Sequence, residues 1–209
     1  MTNTPQLFIL GSSGHAREIA AYALVVSPTR RIVFVDDTDS TRDCISQAEY
    51  LRRLGTEGGE SIMGAGRCEV RESLLEQIRP PFATIIYPTA TILGEIAPGC
   101  ALAPGAIIAP NARLEAHVMV NYNATIGHDA LVRSLTVVGP GAAIGGWCRI
   151  DLAVYIGAGA LIRERLSVAS RAVIGLGAVV TRDVPAAMIA VGVPAVFKDK
   201  TSSGGGWLK

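Results

Sequence analysis

The dominant feature of the sequence is a six-residue repeat of aliphatic side chains between Ile96 and Val180. Every sixth residue from Ile96 onward is Ile, Leu or Val, fifteen times in succession. If half of all residues were eligible, chance would give such a run about once in 30,000 trials, so the period constrains the fold. A second row, two residues before the aliphatic one, is mostly small and includes Cys100, Ala106 and Ala112.

A period of six does not fit an α-helix, but it agrees with short strands in which residues i and i−2 share a face. The other residues of each hexad must then turn a corner. Three strands per turn give a triangular coil of eighteen residues, in which Ile96 stacks on Leu114 and Leu114 on Val132. The fifteen hexads predict five coils, and each buried aliphatic side chain stabilises the stack by about 1.5–3 kcal/mol.

The residues before the repeat predict a small α/β domain. Strands are expected at 7–10, 32–35, 61–63 and 82–86, and helices at 16–26 and 69–78. This strand–helix–strand order is typical of a Rossmann-like, nucleotide-binding sheet. We therefore expect an α/β domain over 1–87, a repeat domain over 88–184 and a C-terminal tail over 185–209, whose last residues are rich in Gly and Ser.

A glycine-containing loop joins the first strand to the first helix. It contains Gly11, Ser13, Gly14 and His15, and the second strand ends at Asp36. The full G-x-G-x-x-G fingerprint of dinucleotide sites is absent, so the loop alone fits a tight turn equally well. An acid at the end of the second strand can hydrogen-bond the ribose or base of a nucleotide.

The composition argues against a nucleic-acid-binding protein and against a membrane protein. Of the 209 residues 18% are charged and the formal net charge is +1, so the sequence has no electrostatic footprint for nucleic acid. No apolar run is long enough for membrane insertion or a signal peptide. The four cysteines show no CxxC spacing, and Cys100 and Cys148 fall in the small interior row. They are expected to be buried thiols, which suggests a reducing cytoplasm.

Several motifs together resemble one family. Pairs such as Ile126-Gly127 repeat the [Ile/Leu/Val]-Gly-x4 pattern of the left-handed parallel β-helix found in hexapeptide-repeat acyltransferases. The opening Gly11-Ser12-Ser13-Gly14-His15, the segment 121–129 and Gly192-Val193-Pro194-Ala195 extend the likeness from Leu7 to about Lys198. Over this length the chain resembles the sialic acid O-acetyltransferases and nucleotide-amino-sugar N-acetyltransferases of bacterial surface glycan synthesis.

The resemblance implies an acetyl-CoA-dependent acetyltransferase that needs no metal and acts on a sugar or nucleotide sugar. It makes His128 the general base, a task that suits an imidazole at neutral pH. Asp129 would orient the ring as a triad carboxylate does, provided that the corner bends enough for adjacent side chains to meet. Gly146 follows His128 by one coil, and without a Cβ its N–H could face the developing oxyanion.

The family's binding residues carry over to other positions of the sequence. The implied acceptor-binding residues are Gly11, Ser13, Gly14, His15, Asp36 and Asn121, and the implied acetyl-CoA-binding residues are Gly146, Gly157, Ala158, Gly175 and Leu176. The resemblance also implies a homotrimer with active sites between protomers. Two positions depart from the family, since Tyr87 and Val137 stand where it often has histidines.

Two other functions remain open at this point. A non-catalytic sugar-binding or scaffold protein could share the coil, because fold alone does not fix function. A γ-type carbonic anhydrase would need three imidazoles on one zinc ion. The sequence has His15, His117 and His128, but His15 lies in the other predicted domain and His117 is expected at a surface corner.

Overall fold

The computed structural model describes residues 6–39 and 43–200, and it confirms the predicted fold class. The first domain is a parallel four-stranded sheet with strand order β3-β2-β1-β4. Its elements are β1 (Leu7–Leu10), α1 (Gly14–Val26), β2 (Ile32–Val35), β3 (Cys44–Ile45), α2 (Gln47–Glu57), β4 (Glu60–Met63) and α3 (Cys68–Leu75). All four residues of β1 are fully buried, as expected for a central parallel strand.

The second domain is a coil of short strands in three sheets. The first sheet contains β5 (Ile85–Ile86), β8 (Ala101–Leu102), β11 (Met119–Val120), β14 (Val137–Val138), β17 (Tyr155–Ile156), β20 (Val173–Ile174), β22 (Met188–Val191) and β23 (Val196–Asp199). The second contains β6 (Thr91–Ile92), β9 (Ile107–Ile108), β12 (Thr125–Ile126), β15 (Ala143–Ile144), β18 (Leu161–Ile162) and β21 (Val179–Val180). The third contains β7 (Glu95–Ile96), β10 (Arg113–Leu114), β13 (Leu131–Val132), β16 (Arg149–Ile150) and β19 (Ser167–Val168).

The strand register has the predicted period of eighteen residues. Ile126 pairs with Ile144, and Val132 pairs with Ile150, both in parallel ladders. These aliphatic side chains point inward and are at most 2% exposed, as are Ala124 and other members of the small row. The two rows together form the core of the coil.

The coil begins earlier than the hexad count predicts. Ile85–Ile86 and Thr91–Ile92 already pair with strands of the next turn, so the second sheet has six strands among the described residues, where five coils were expected. Ile96 follows Ile92 by four positions instead of six, which interrupts the period and hides this turn in the sequence. Gly94 permits the tight corner, since a Cβ there would collide with the carbonyl of Ala112.

The segment predicted as a C-terminal tail contributes two strands. β22 pairs in parallel with β20, and β23 returns antiparallel to β22, so residues 188–199 extend the first sheet. The Gly/Ser-rich end, 201–209, lies outside the described residues. None of the helices in the described part of the chain is long and apolar enough to cross a membrane.

The outward faces of the three sheets differ in polarity. The first sheet presents apolar residues such as Met119 and Val137, which share a buried cluster with the α/β domain. The third presents mostly polar residues, such as Arg113 and Arg149. The outward residues of the second sheet are Thr91, Ile107, Thr125, Ala143, Leu161 and Val179. This face carries no charge in the described chain, yet Leu161 is 46% exposed.

The two residues that depart from the family pattern both pack between the domains. Tyr87 makes an edge contact with Tyr22 of α1, with ring centroids 5.7 Å apart, and Tyr22 contacts Tyr122 at 5.9 Å. Val137 is 1% exposed in the same interface. Apolar and aromatic packing thus occupies the places where the family often has histidines.

His117 was expected at a surface corner, and this expectation is wrong. The side chain is 4% exposed and makes an edge contact with Phe82 at 4.7 Å. The buried guanidinium of Arg71 donates hydrogen bonds to the carbonyl oxygens of Ala65 and His117. Arg71 therefore ties the loop after β4 to the coil, and domain packing, which the six-residue pattern does not report, buries this corner.

Candidate functional site

The corner between β12 and β13 carries His128 and Asp129. Asp129 has a left-handed backbone, with φ of 59°, which bends the chain sharply at this point. As a result the two adjacent side chains meet, and His128 Nδ1 lies 2.9 Å from Asp129 Oδ2. The geometry required for an orienting carboxylate is therefore available within one chain.

Asp129 is held as an anion. Its hydrogen bond with His128 is the main cause of a lowered pKa, which partial burial opposes and a second hydrogen bond from Asn111 reinforces. Asn111 Nδ2 donates to Asp129 Oδ1 at 3.2 Å. A carboxylate can only accept, so Nδ1 of His128 donates and Nε2 is left as the basic nitrogen.

Gly146 lies against the free side of the imidazole ring. A Cβ on Gly146 would be 2.7 Å from Nε2 and 2.8 Å from Cε1 of His128. Within the described chain, no acceptor receives the Gly146 N–H. A basic nitrogen and an available backbone donor therefore lie side by side at this corner.

Two further residues of this corner were missed by the sequence reasoning. The indole of Trp147 contacts the His128 ring edge to face, with centroids 4.3 Å apart, and Arg165 lies over the indole at 4.2 Å. Asp129, Trp147 and Arg165 are eighteen residues apart in succession. The coil period was therefore a signal that could have placed them in one column.

The acceptor residues predicted in the α/β domain gather at the carboxyl edge of its sheet. Gly11, with φ of 105°, turns the chain after β1, and the Ser12 hydroxyl hydrogen-bonds Asp36 Oδ2 at 2.8 Å. Burial raises the pKa of Asp36, but hydrogen bonds from Thr38 and Ser12 outweigh it and lower the pKa overall. The loops after β1 and β4 thus flank the point where the strand order reverses, which is where open α/β sheets bind ligands.

A cleft of about 600 Å³ separates this edge from the coil. Its walls contain Ser13 and His15 from the α/β domain, and Gly175 and Leu176 from the coil. Arg67 also lines it, and the described lining has no carboxylate, so the polar wall is cationic or neutral. The cleft therefore brings predicted acceptor-binding and acetyl-CoA-binding positions together.

A second cleft, of about 290 Å³, extends from His15 along the corner between the first and second sheets. It is lined by His15, Glu18, Asn121 and Tyr122. The Tyr122 hydroxyl donates to Glu18 Oε1 at 3.2 Å, which links α1 to this corner. Asn121, which is 4% exposed, lines this cleft together with His15.

Within one chain the candidate residues fall into two groups on different corners. His128, Asp129 and Gly146 lie between the second and third sheets. The corner between the first and second sheets carries the other predicted coil residues, which are Asn121, Gly157, Ala158, Gly175 and Leu176. A single chain therefore does not bring Gly146 together with the remaining acetyl-CoA-binding positions.

Comparison with known proteins supports the resemblance drawn from the sequence. Residues 6–78 match the PglD N-terminal domain. The chain is similar to the acetyltransferase domain of PglB from Neisseria gonorrhoeae FA1090, with a TM-score of 0.85, 28% identity, and coverage of 93% of this chain and 100% of that one. The same domain in complex with acetyl coenzyme A gives a TM-score of 0.83 and 28% identity, covering 94% and 100%.

A mutant of perosamine N-acetyltransferase from Caulobacter crescentus, in complex with CoA and GDP-perosamine, gives a TM-score of 0.84. At 22% identity, covering 92% of this chain and 96% of that one, it shows the shared fold. Comparison with curated protein sequences gives no match. The predicted resemblance to hexapeptide-repeat sugar acetyltransferases is confirmed.

Proposed function

We propose that this chain, which resembles the hexapeptide-repeat sugar acetyltransferases, transfers the acetyl group of acetyl-CoA to an amino sugar carried by a nucleotide. The observation that carries the proposal is the corner at which His128 Nε2 lies against Gly146, with Nδ1 held by Asp129. The PglB domain that aligns with 94% of this chain is in complex with acetyl coenzyme A. This likeness supports acetyl-CoA as the co-substrate.

In this mechanism Nε2 of His128 takes a proton from the acceptor amine as the amine nitrogen attacks the thioester carbon. The carbonyl oxygen becomes an oxyanion, to which the Gly146 N–H donates. When the tetrahedral intermediate collapses, the C–S bond breaks and CoA leaves as the thiolate, which the proton held by His128 neutralises. A positioned base contributes about 10²–10⁴-fold, and one oxyanion donor contributes about 2.7–4 kcal/mol.

The acceptor is assigned to the two clefts around His15. The larger cleft, with His15 and Arg67 in its polar wall and no carboxylate in its described lining, suits the diphosphate of a nucleotide sugar. Asp36, at the end of β2, is placed to accept from the ribose or base. The 4% exposed Asn121 would contact the sugar where the second cleft reaches the coil.

The active site is proposed to form between copies of the chain in a homotrimer. Its two groups of residues lie on different corners of one coil, so a second copy is needed to unite base and acceptor. The uncharged outward face of the second sheet, with Leu161 46% exposed and Ile107 41% exposed, offers a surface for association. The base of one protomer would then face the clefts of its neighbour.

The cellular role proposed for the reaction is surface glycan synthesis in the cytoplasm. Cys68, Cys100 and Cys148 are buried free thiols, in agreement with a reducing compartment. A scaffold protein would not require His128, Asp129 and Gly146 to lie together in this arrangement. A carbonic anhydrase site is disfavoured because its zinc ion needs three histidines close together. In this chain His15 lines a cleft, His117 lies in the domain interface and His128 lies at a separate corner of the coil.

The proposal is tested by thiol release from acetyl-CoA over a panel of nucleotide-linked amino sugars, their hydroxyl counterparts and the free sugars. We expect release with a nucleotide-linked amino sugar and a product heavier by one acetyl group. Thiol release with the hydroxyl sugars alone would mean that the acceptor group is a hydroxyl and not an amine. If no sugar gives release while sugars still bind, the scaffold function is correct.

A further inference from the structure

Trp147 occupies a corner position that is unfavourable for a bulky side chain. Its φ of 56° lies in the left-handed region, as do those of Asn111 and Asp129, both 59°, and of Arg165, 62°, in the same column. Asn and Asp tolerate this conformation, whereas a tryptophan there is uncommon and marks a position worth explaining. Core burial does not explain it, because Trp147 is 46% exposed.

The contacts of Trp147 point toward the base. Its ring is nearly perpendicular to the imidazole of His128, with an interplanar angle of 86° and a centroid distance of 4.3 Å. The guanidinium of Arg165 lies 4.2 Å from the indole centroid on the next coil. A cation over the ring face and an imidazole in edge contact together fix the orientation of the indole.

We propose that Trp147 is a positioning residue for His128, an inference that rests on the proposed function. The hydrogen bond to Asp129 fixes Nδ1 at 2.9 Å but leaves the imidazole free to tilt about that bond. Contact with a perpendicular indole removes this freedom. The ring then keeps Nε2 beside Gly146, where the thioester and the amine must meet.

Trp147→Asn and Trp147→Phe test this role. Asn suits the left-handed backbone, so the asparagine variant should fold at least as stably as the parent while its base is free to tilt. In Trp147→Asn we expect kcat to fall about 10-fold, because a misplaced base loses part of the rate enhancement that a positioned base gives. The KM for acetyl-CoA should be nearly unchanged. Phe restores a perpendicular ring and should recover most of kcat.

A spectroscopic measurement reports the contact without relying on turnover. In a Trp207→Phe background Trp147 is the only tryptophan of the sequence. The imidazole lies in edge contact with the indole, with ring centroids 4.3 Å apart, so its removal in His128→Ala should change the emission intensity of Trp147.

The outcomes separate this inference from the proposed function. If Trp147→Asn keeps kcat within about twofold while His128→Ala loses it, the positioning role is wrong and the base assignment stands. Equal losses in the Asn and Phe variants, with a lowered Tm, would mean a structural role and overturn the inference. Emission of Trp147 that is the same in the parent and in His128→Ala would also overturn it. If His128→Ala itself keeps its activity, the proposed function fails.

Discussion

Gly146 and His128 are so close that a Cβ on Gly146 would lie 2.7 Å from the Nε2 atom of the imidazole. From the sequence, the missing Cβ was expected to let the Gly146 N–H face the developing oxyanion. The structure adds that it leaves room for the base. A side chain at position 146 would therefore displace the ring from the place where it receives the proton.

Gly146→Ala is expected to lower kcat at least about 10-fold, because the base is moved from its position. The Tm should change little, since the corner lies outside the aliphatic stack. Steady-state kinetics and thermal unfolding check this. Gly55→Ala is the matched control, because a Cβ there meets nothing within 4 Å. It should leave kcat unchanged, and an unchanged kcat in Gly146→Ala would show that the base lies elsewhere.

The coil was predictable because its pattern repeats locally, whereas the site depends on how separate elements meet. The hexads give the core and the corner position of His128. They do not report that the α/β domain covers the first sheet, so His117 was assigned to the surface although it is 4% exposed. The clefts around His15 are also absent from any local pattern, because their walls come from loops of two domains.

Asp129→Asn should lower kcat about 10- to 100-fold without loss of fold. Asn keeps the shape and the left-handed backbone, but it removes the charge that stabilises the imidazolium formed during transfer. CoA affinity, measured by calorimetry, should stay the same. Asp151→Asn is the control, since Asp151 forms an ion pair with Arg133, at 3.4 Å, on the surface. Equal kcat in both variants would contradict the role of Asp129.

The protein should lose stability in mild acid through His117. Burial, together with the Arg71 cation, lowers the pKa of His117 from 6.5 to about 4. The unfolded chain therefore binds this proton more readily than the folded one, and the free energy of unfolding falls as the pH drops from 6.5 toward 4. The full effect is about 3 kcal/mol.

Urea unfolding at several pH values measures this loss for the parent and for His117→Asn. Asn tolerates the φ of 62° at this corner and does not titrate. The variant should show a smaller decrease in unfolding free energy between neutral and acidic pH. If both proteins lose stability to the same extent, other groups cause the acid sensitivity.

Leu161→Arg should dissociate the proposed trimer, because it places a charge on the apolar face of the second sheet. Light scattering should then change from a trimer to a species near the chain mass of 21.8 kDa. Leu131→Arg puts the same charge on the polar third sheet and should remain trimeric. A parent protein that is already monomeric at micromolar concentration would contradict the shared site.

The role of His128 as the general base is tested most directly by measuring kcat of the His128→Ala variant on the nucleotide-linked acceptor. The expected loss is about 10²–10⁴-fold, the usual contribution of a positioned general base. Calorimetry should show nearly unchanged CoA binding, because His128 acts on the proton of the acceptor. A variant that keeps most of its kcat would contradict the mechanism proposed for this corner of the coil.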